Sequence, residues 1–297
     1  MIQYGVTYAV GLIFGTLARI LMLRSDYRQY PGYPHGYVTH ISLGFIAAAI
    51  GTIAIPAIAE KEFAAVTFLA LAAQQFREIR NMERESLAAL EEAELVPRGL
   101  DYIEGIARVF ESRNYLVMVT ALVASGTHFF THSVYLAALA GGISIIISIV
   151  LSKGRVIGDI AEVVPAELKF KGALLQVADI DIMNVGLPHM REKILRDGLG
   201  VLIKPKHDNA RATLHNMGQR QAIAHVAATI LGVKKDVDVP EFTPMLRKNV
   251  DTGAIALFIV PAEKDMESLL FAVNRVPVLE SARRAPLKTR AGRMAAD

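Results

Sequence analysis

Long apolar segments are the feature that most limits how this chain of 297 residues can fold. Residues 5–23 contain one charged side chain, Arg19, and residues 41–59 and 134–151 contain none. Because a helix rises about 1.5 Å per residue, each segment can cross the hydrocarbon core of a bilayer, which is about 30 Å thick. The hydrophobic content of 53% and the mean hydropathy of +0.35 also exceed those of an ordinary soluble protein. The sequence therefore predicts an integral membrane protein.

Two further segments predict additional spans. Residues 63–76 are apolar for about four helical turns and continue without Pro or Gly into the charged residues 77–95. This pattern favours one long helix whose first part forms a span, and a re-entrant hairpin with the second span is the alternative. Residues 115–130 predict one more span, so we expect about five in total.

The basic residues give these spans an orientation. Only Lys61 falls on one side of the membrane, whereas the connections on the other side carry Arg24, Arg28, Arg77, Arg80, Arg84, Arg98, Arg108, Arg113, Lys153 and Arg155. Since positive residues stay on the cytoplasmic side, the N-terminus is predicted outside the cytoplasmic membrane and the C-terminal half in the cytosol.

From about residue 158 the composition becomes that of a soluble domain. The hydrophobic patterns and the turn residues predict several elements. They are a strand at 172–185, a helix at 189–196, a strand at 200–203, a long helix from Asp208 or Asn209 to Leu231 ended by Gly232, strands at 242–247 and 254–260, a helix at 263–274 and a strand at 276–279.

The predicted fold class is thus a polytopic α-helical membrane domain with about five spans, followed by a cytosolic α+β domain. The membrane domain covers residues 1–157 and includes a cytosolic helical connector at 77–113. The α+β domain covers residues 158–282. Residues 283–297 form a basic, flexible tail.

Several classes of function are disfavoured by the residues. The chain has no cysteine, which removes disulfides and thiolate metal sites. It contains neither a Gly-rich phosphate loop nor a basic run with interleaved aromatic residues, so we predict no cofactor and no nucleic acid. His128 and His132 are four residues apart but have no third ligand nearby in sequence, so no metal site is predicted.

The polar stretch at 97–114 is predicted to be a connector helix between two spans. Its acids, Asp101 and Glu104, come early and its bases, Arg108 and Arg113, come late, as the helix dipole favours. One hypothesis is a plain solvated helix. The other is a polar cluster at the membrane surface, in which Glu104 and Arg108 pair across one helical turn. Its candidate residues are Tyr102, Glu104, Gly105 and Arg108.

The core of this stretch reads Tyr-Ile-Glu-Gly-Ile-Ala at residues 102–107. This hexapeptide resembles the signature of the YIEGIA family, a group of membrane proteins from endospore-forming bacteria. The chain is similar to that family over essentially its whole length. The resemblance implies a role connected with sporulation.

A second motif, Asp251-Thr252-Gly253-Ala254, resembles the tetrapeptide of aspartic proteases. There, two carboxylates share a proton and serve as acid and base. A single copy per chain would require a homodimer. Several spans followed by a cytosolic domain also resemble the membrane-bound aspartic protease that processes a sporulation sigma factor. Asp-Thr-Gly between two strands is equally ordinary hairpin sequence, and that alternative stays open.

Asp179 and Asp181 are the remaining candidate catalytic residues. On a strand, residues two apart lie on one face, where two carboxylates would repel each other and one pKa would rise. The alternative is the solvent-exposed face of a half-buried strand.

Two functions follow from these observations. The first is a sporulation-associated regulatory membrane protein whose cytosolic domain binds a protein partner. The alternative is a membrane-bound protease, for which the aspartic type is the candidate mechanism, that degrades a cytosolic regulatory protein. Membrane lipids surround the spans in either case.

Overall fold

The computed structural model describes residues 4–26, 34–285 and 288–294. The chain divides into two compact units. The helical unit contains Met1–Glu85 and Ile106–Lys153, and the α+β unit contains Ser86–Gly105 and Gly154–Asp297. Arg28, which entered the topology prediction, lies outside the described residues.

The helical unit is built from five long helices, of which three are long and apolar enough to cross a membrane. These three contain the segments Gly5–Leu23, Gly36–Ala59 and Val134–Leu151. The helices are α1 (Gly5–Asp26), α2 (Pro34–Ala59), α3 (Phe63–Glu91), α4 (Leu100–Thr131) and α5 (Val134–Leu151). The prediction that this half contains helices long and apolar enough to cross a membrane is therefore confirmed.

Helices α3 and α4 cover the segments that suggested two further spans. Helix α3 runs without interruption through the apolar residues and the charged ones, as predicted for one long helix. Helix α4 joins two elements that the sequence analysis treated separately, the connector at 97–114 and the segment at 115–130. No proline interrupts these 32 residues, so nothing in the backbone ends the helix between them.

Small residues allow the helices of this unit to approach one another closely. A Cβ atom added to Gly15 of α1 would lie 2.6 Å from Cβ of Ala48 and 2.9 Å from Cβ of Ala121. Added to Gly11, it would lie 2.4 Å from Oγ1 of Thr52. The two glycines, four residues apart, therefore lie on the face of α1 that packs against α2 and α4.

The α+β unit contains three antiparallel sheets. The largest has the strand order β1-β5-β9-β8, the second has the order β2-β3-β4, and the third is the pair β6-β7. The strands are β1 (Ala161–Ala166), β2 (Leu168–Lys171), β3 (Leu174–Val177), β4 (Ile180–Asn184), β5 (Leu199–Pro205), β6 (Lys235–Asp236), β7 (Val239–Pro240), β8 (Met245–Lys248) and β9 (Ile255–Ile259). The helices are α6 (Ile157–Ile160), α7 (Pro188–Asp197), α8 (Asp208–Leu214), α9 (Met217–Leu231), α10 (Met266–Asn274) and α11 (Arg290–Met294).

Strand β9 lies inside this unit, since all five of its residues are buried. Ala256 and Phe258 pack against the three-stranded sheet, in one cluster with Leu175 and Ile180. Side chains alternate along a strand, so Leu257 points to the opposite face of the large sheet. Helices α9 and α10 contact strands of that sheet and each other. The domain is therefore α+β, as predicted.

The prediction of one strand at 172–185 was wrong, because the segment folds back on itself as the hairpin β3–β4. Val177 pairs with Ile180, which leaves Ala178 and Asp179 as the turn, and Ala178 has a φ of +53°. The alternation within β4 is confirmed, since Ile180 and Ile182 are buried and Asp181 is exposed.

The long helix predicted from Asp208 or Asn209 to Leu231 is divided into α8 and α9. Asn216 lies between them, and its side-chain oxygen accepts a hydrogen bond from the backbone of Gln219 at 3.0 Å. An asparagine that caps the next helix ends the preceding one. Helix α8 is capped by His207, whose Nδ1 accepts a hydrogen bond from the backbone N–H of Ala210.

Three smaller differences concern the ends of the domain. Strands β1 and β2 were not predicted. In place of a strand at 276–279, Pro277 forms an isolated bridge with Val156, since proline has no N–H for a ladder. Within the basic tail, Arg290–Met294 forms the short helix α11.

Candidate functional site

The signature hexapeptide begins inside the α+β unit, because Ser86–Gly105 belongs to that unit. Pro97 and Gly99 separate α3 from α4, and Gly99 has a φ of +86°, which favours glycine. The backbone N–H of Gly99 donates to Oε2 of Glu91 at 3.0 Å. Arg98 forms salt bridges to Glu91 at 3.3 Å and to Glu94 at 3.4 Å. The sequence thus shapes a compact turn before the first residue of α4.

Helix α9 holds this turn through two side chains. His225 Nδ1 lies 2.6 Å from the backbone oxygen of Val96, and Gln221 Nε2 donates to the backbone oxygen of Pro97 at 2.5 Å. A carbonyl oxygen only accepts, so His225 must carry its proton on Nδ1. Its other nitrogen lies 3.4 Å from the hydroxyl of Thr229. We call residues 86–105 the docking segment, since these bonds attach it to α9.

Tyr102, the first residue of the signature, packs into the same place. Its side chain is only 5% exposed, and its ring centre lies 6.3 Å from that of His225, with the ring planes at 74°. Close by, a Cβ atom on Gly218 would lie 2.5 Å from Cβ of Asp101, so α9 and the start of α4 meet with little space between them. Tyr102 is therefore part of the packing of the α+β unit.

The other signature residues have different surroundings. Gly105 lies beside Leu279, since an added Cβ would be 3.7 Å from Cδ2 of that residue. Glu104 is half-buried and Arg108 is exposed. Of the four residues predicted to form a polar cluster, Tyr102 is therefore the one that packs against α9.

Burial changes the ionisation of this site. It raises the pKa of Tyr102 to about 12, an effect that the charge of Arg98 opposes. Burial also lowers the pKa of His225, and its hydrogen bond to Val96 opposes that shift. Both rings are therefore neutral at neutral pH.

We expect acid to weaken the docking of this segment through His225. The pKa of His225 in the folded protein lies below its ordinary value near 6.5. The stabilisation that neutral His225 gives to the docked segment is therefore complete above that ordinary value and is lost as the pH falls through the lowered pKa. The measurement is hydrogen exchange of residues 94–100 between about pH 7.5 and 5.5, corrected for the intrinsic exchange rates. In His225→Gln, which retains a donor but does not titrate, this acid-dependent change should disappear. An equal change in both proteins would contradict the assignment.

The aspartic-protease-like motif lies on the hairpin between β8 and β9. Oδ1 of Asn249 accepts hydrogen bonds from the backbone of Asp251 at 2.9 Å and of Thr252 at 3.0 Å. Gly253 has a φ of +74°, and Asp251 and Thr252 are exposed. Asp251 thus presents its carboxylate to solvent from a tight turn.

Asp179 and Asp181 have separate partners. Lys169 Nζ donates to Asp179 at 2.7 Å and holds the pKa of that carboxyl below its ordinary value. Gln176 Nε2 donates to Asp181 at 2.6 Å. Asp179 lies in the turn and Asp181 on the exposed face of β4. The two residues therefore do not both belong to one strand, contrary to the prediction from the sequence.

The histidines near the end of α4 are also separated. His128 is buried and its Nδ1 lies 2.8 Å from the hydroxyl of Thr7, whereas His132 is exposed and has a φ of +52°. In the described part of the chain, no group of three or more His, Asp or Glu side chains is placed to hold a metal ion.

A buried polar centre in the helical unit was not predicted from the sequence. Arg19 is fully buried and donates from Nε to the backbone oxygen of His40 at 3.3 Å. Its guanidinium carbon lies 5.4 Å from the ring centre of Phe110. Arg113 and Asn114 are also buried. The single charge of Arg19 in an apolar segment was a signal, but its partners on α2 and α4 could not be identified from spacing.

Comparisons with known proteins agree with the signature. The family model described as YIEGIA protein matches residues 7–289. The protein YphB of Bacillus subtilis (strain 168), an endospore former, is 43% identical over 286 residues, which cover 96% of each chain. No solved structure matches this chain. The chain therefore belongs to the YIEGIA family.

Proposed function

We propose that this chain is a sporulation-associated regulatory protein of the cytoplasmic membrane whose α+β unit binds a cytosolic protein partner. The observation that carries the proposal is the place of the signature. Tyr102 and the turn before it are packed on α9, so the most recognisable part of the sequence helps to build the α+β unit. This favours a structural role for the hexapeptide in a binding module.

The membrane arrangement that we propose has five spans. Three are the helices that meet the length and composition of a span, and the others are residues 63–76 of α3 and 115–130 of α4. The distribution of basic residues supports an external N-terminus and a cytosolic α+β unit.

The ionisable groups of the α+β unit favour binding over catalysis. The carboxylate of Asp179 pairs with Lys169, and that of Asp197 pairs with Arg196 and Lys234. These hydrogen bonds lower both carboxyl pKa values. Lowered values keep carboxylates ionised, whereas a general acid needs a raised pKa near the working pH. Ion pairs of this kind stabilise or solubilise a surface.

The protease is the second candidate, and one observation favours it. Asn249 and Gly253 form a tight turn that leaves the carboxylate of Asp251 exposed, where that of a second chain could approach it. Such an enzyme would act as a homodimer, because each chain supplies one motif.

The experiment that separates these candidates is done in an endospore-forming host. Whole-cell protein levels and in-cell crosslinks are compared between the wild type, a deletion strain and strains carrying Asp251→Asn or Glu104→Gln. We expect the deletion to remove specific crosslinks to a cytosolic protein and Asp251→Asn to retain them, because binding does not need that carboxylate.

Equal accumulation of the variant proteins in the membrane is the control. A small cytosolic protein that accumulates both in the deletion strain and in Asp251→Asn would contradict the binding proposal and establish the protease. If no crosslink depends on the protein, the binding proposal fails as well.

A further inference from the structure

Four cationic side chains and one histidine surround the β8–β9 hairpin. Lys248 and Arg247 end strand β8, and both are exposed. The others lie on α8, on α9 or at the end of α8, and they are half-buried. We call the set the hairpin cluster, which consists of Arg211, His215, Arg220, Arg247 and Lys248.

Backbone oxygens, and not carboxylates, position four of these side chains. Arg211 donates to the backbone oxygen of Val250, and His215 Nε2 lies 3.3 Å from that of Gly253. Arg220 donates from Nη1 to Leu246 at 3.4 Å and Arg247 from Nε to Ile182 at 3.3 Å. The aliphatic part of Arg211 lies across Gly253, where an added Cβ would be 2.6 Å from its Cγ. These four side chains are thereby held in fixed directions.

The positive charge of the cluster is not neutralised within the described residues. None of its members forms a salt bridge to a described carboxylate, and Nε of Arg220 is buried without an acceptor in the described part of the chain. Asp251 is the acidic residue of the hairpin itself, and its side chain is exposed to solvent. A carboxylate supplied by another molecule would therefore reduce the repulsion within the cluster.

The ionisation of two members agrees with mutual repulsion. Burial lowers the pKa of His215, the hydrogen bond to Gly253 opposes that shift, and the charges of Lys248, Arg211 and Arg220 lower the pKa further. Burial and then the charge of Arg247 lower the pKa of Arg220.

The surface around the cluster indicates what kind of anion it would bind. Val250 is 65% exposed on the hairpin and Met217 is 78% exposed on α9, one turn before Arg220. Exposed apolar side chains beside arginines are typical of protein interfaces. Oriented guanidinium groups match the planar geometry of carboxylates, whereas attraction to anionic lipids needs only flexible positive charge. The observations thus favour an acidic protein segment.

We propose that the hairpin cluster is the docking site for an acidic segment of the cytosolic partner, one that carries clustered Asp or Glu beside apolar residues. This inference rests on the proposed function and adds to it the chemistry of the partner. Carboxylates of the segment would contact the free N–H groups of Arg211, Arg220 and Arg247, while its apolar side chains would cover Val250 and Met217.

The test uses the full-length protein in nanodiscs of neutral phosphatidylcholine. The probe is a short fluorescein-labelled peptide of alternating Glu and Leu pairs, and its binding is followed by fluorescence anisotropy. We expect Arg247→Gln with Lys248→Gln to raise the dissociation constant about tenfold and to reduce its dependence on salt. The matched control, Lys171→Gln with Lys235→Gln, also removes two exposed cationic side chains from this unit and should change the dissociation constant less than about twofold.

A second variant keeps the inference testable if the double variant is unstable. Lys248→Glu alters an exposed side chain that makes no hydrogen bond within the described residues. It should weaken binding of the peptide at least as strongly as the double variant does. The inference is overturned if both variants bind the peptide as the wild type does, or if a peptide with Gln in place of Glu binds equally well. It is also overturned if the variants lose binding to phosphatidylglycerol vesicles or to inorganic phosphate but not to the peptide.

In-cell crosslinking separates this inference from the proposed function. If the double variant retains the crosslinked partner, the docking site is wrong and the proposed function stands. If the wild type crosslinks no partner, the proposed function itself fails.

Discussion

Gly51→Ala is expected to destabilise the helical unit by about 2 kcal/mol. An added Cβ at this position of α2 would lie 2.1 Å from the backbone oxygen of Met118 and 3.0 Å from its Cα. These are backbone atoms of α4, so no change of rotamer relieves the overlap and the two helices must move apart. The measurement is thermal unfolding of the purified full-length protein in detergent, together with its accumulation in the membrane.

Gly142→Ala is the matched control, because Gly142 also lies within an apolar helix and an added Cβ would meet nothing within 4 Å. Its midpoint temperature should equal or slightly exceed that of the wild type, since alanine favours helix over glycine. If Gly51→Ala were as stable as Gly142→Ala, α2 and α4 would not approach each other at Gly51 as closely as described.

Features that depend on local sequence could be predicted. The apolar segments gave the three helices long enough to span a membrane, and the charged continuation of the third segment gave the full length of α3. The alternation of Ile180 and Ile182 with acidic residues gave the buried face of β4. Each of these follows from burial at a period of 2 or 3.6 residues.

Two wrong predictions of secondary structure occur where the conformation of a single residue interrupts an otherwise continuous hydrophobic pattern. Residues 172–185 read as one strand because the apolar residues on both sides of the turn are similar, and Ala178 is an unusual residue for a positive φ. Asn216 is compatible with a helix interior by spacing, yet its side chain caps α9. In both cases the tertiary structure decided between two conformations that local preference left open.

The candidate site could be located in the sequence but not explained by it. Tyr102 was identified through the signature, whereas its partners His225 and Gln221 lie on α9, far along the chain. A single sequence carries no information on such pairing. Glu104 and Arg108 were grouped with Tyr102 because all three are polar and close in sequence, although helical spacing places Tyr102 on another face.

Tyr102→Ala is expected to weaken the docking of residues 86–105 by about 3 kcal/mol, the order found when a buried aromatic side chain is removed. The side chain is 5% exposed and fills the space beside the ring of His225, so alanine would leave a cavity that Gly218 and Asp101, already in close approach, cannot fill. Hydrogen exchange of residues 86–105 in the full-length protein measures this loss directly. Trypsin cleavage after Arg98 should accelerate in parallel, because the turn that carries it would open more often.

Tyr102→Phe is the control that separates packing from polar chemistry. Because burial raises the pKa of Tyr102 to about 12, the wild-type hydroxyl is neutral at physiological pH and no charge is lost with it. The phenylalanine variant keeps the ring against His225 and should differ from the wild type by less than about 1 kcal/mol. If it instead lost as much protection as the alanine variant, the hydroxyl would be the important group. The signature would then act through polar contacts at Tyr102, and its role in shaping the α+β unit would have to be abandoned.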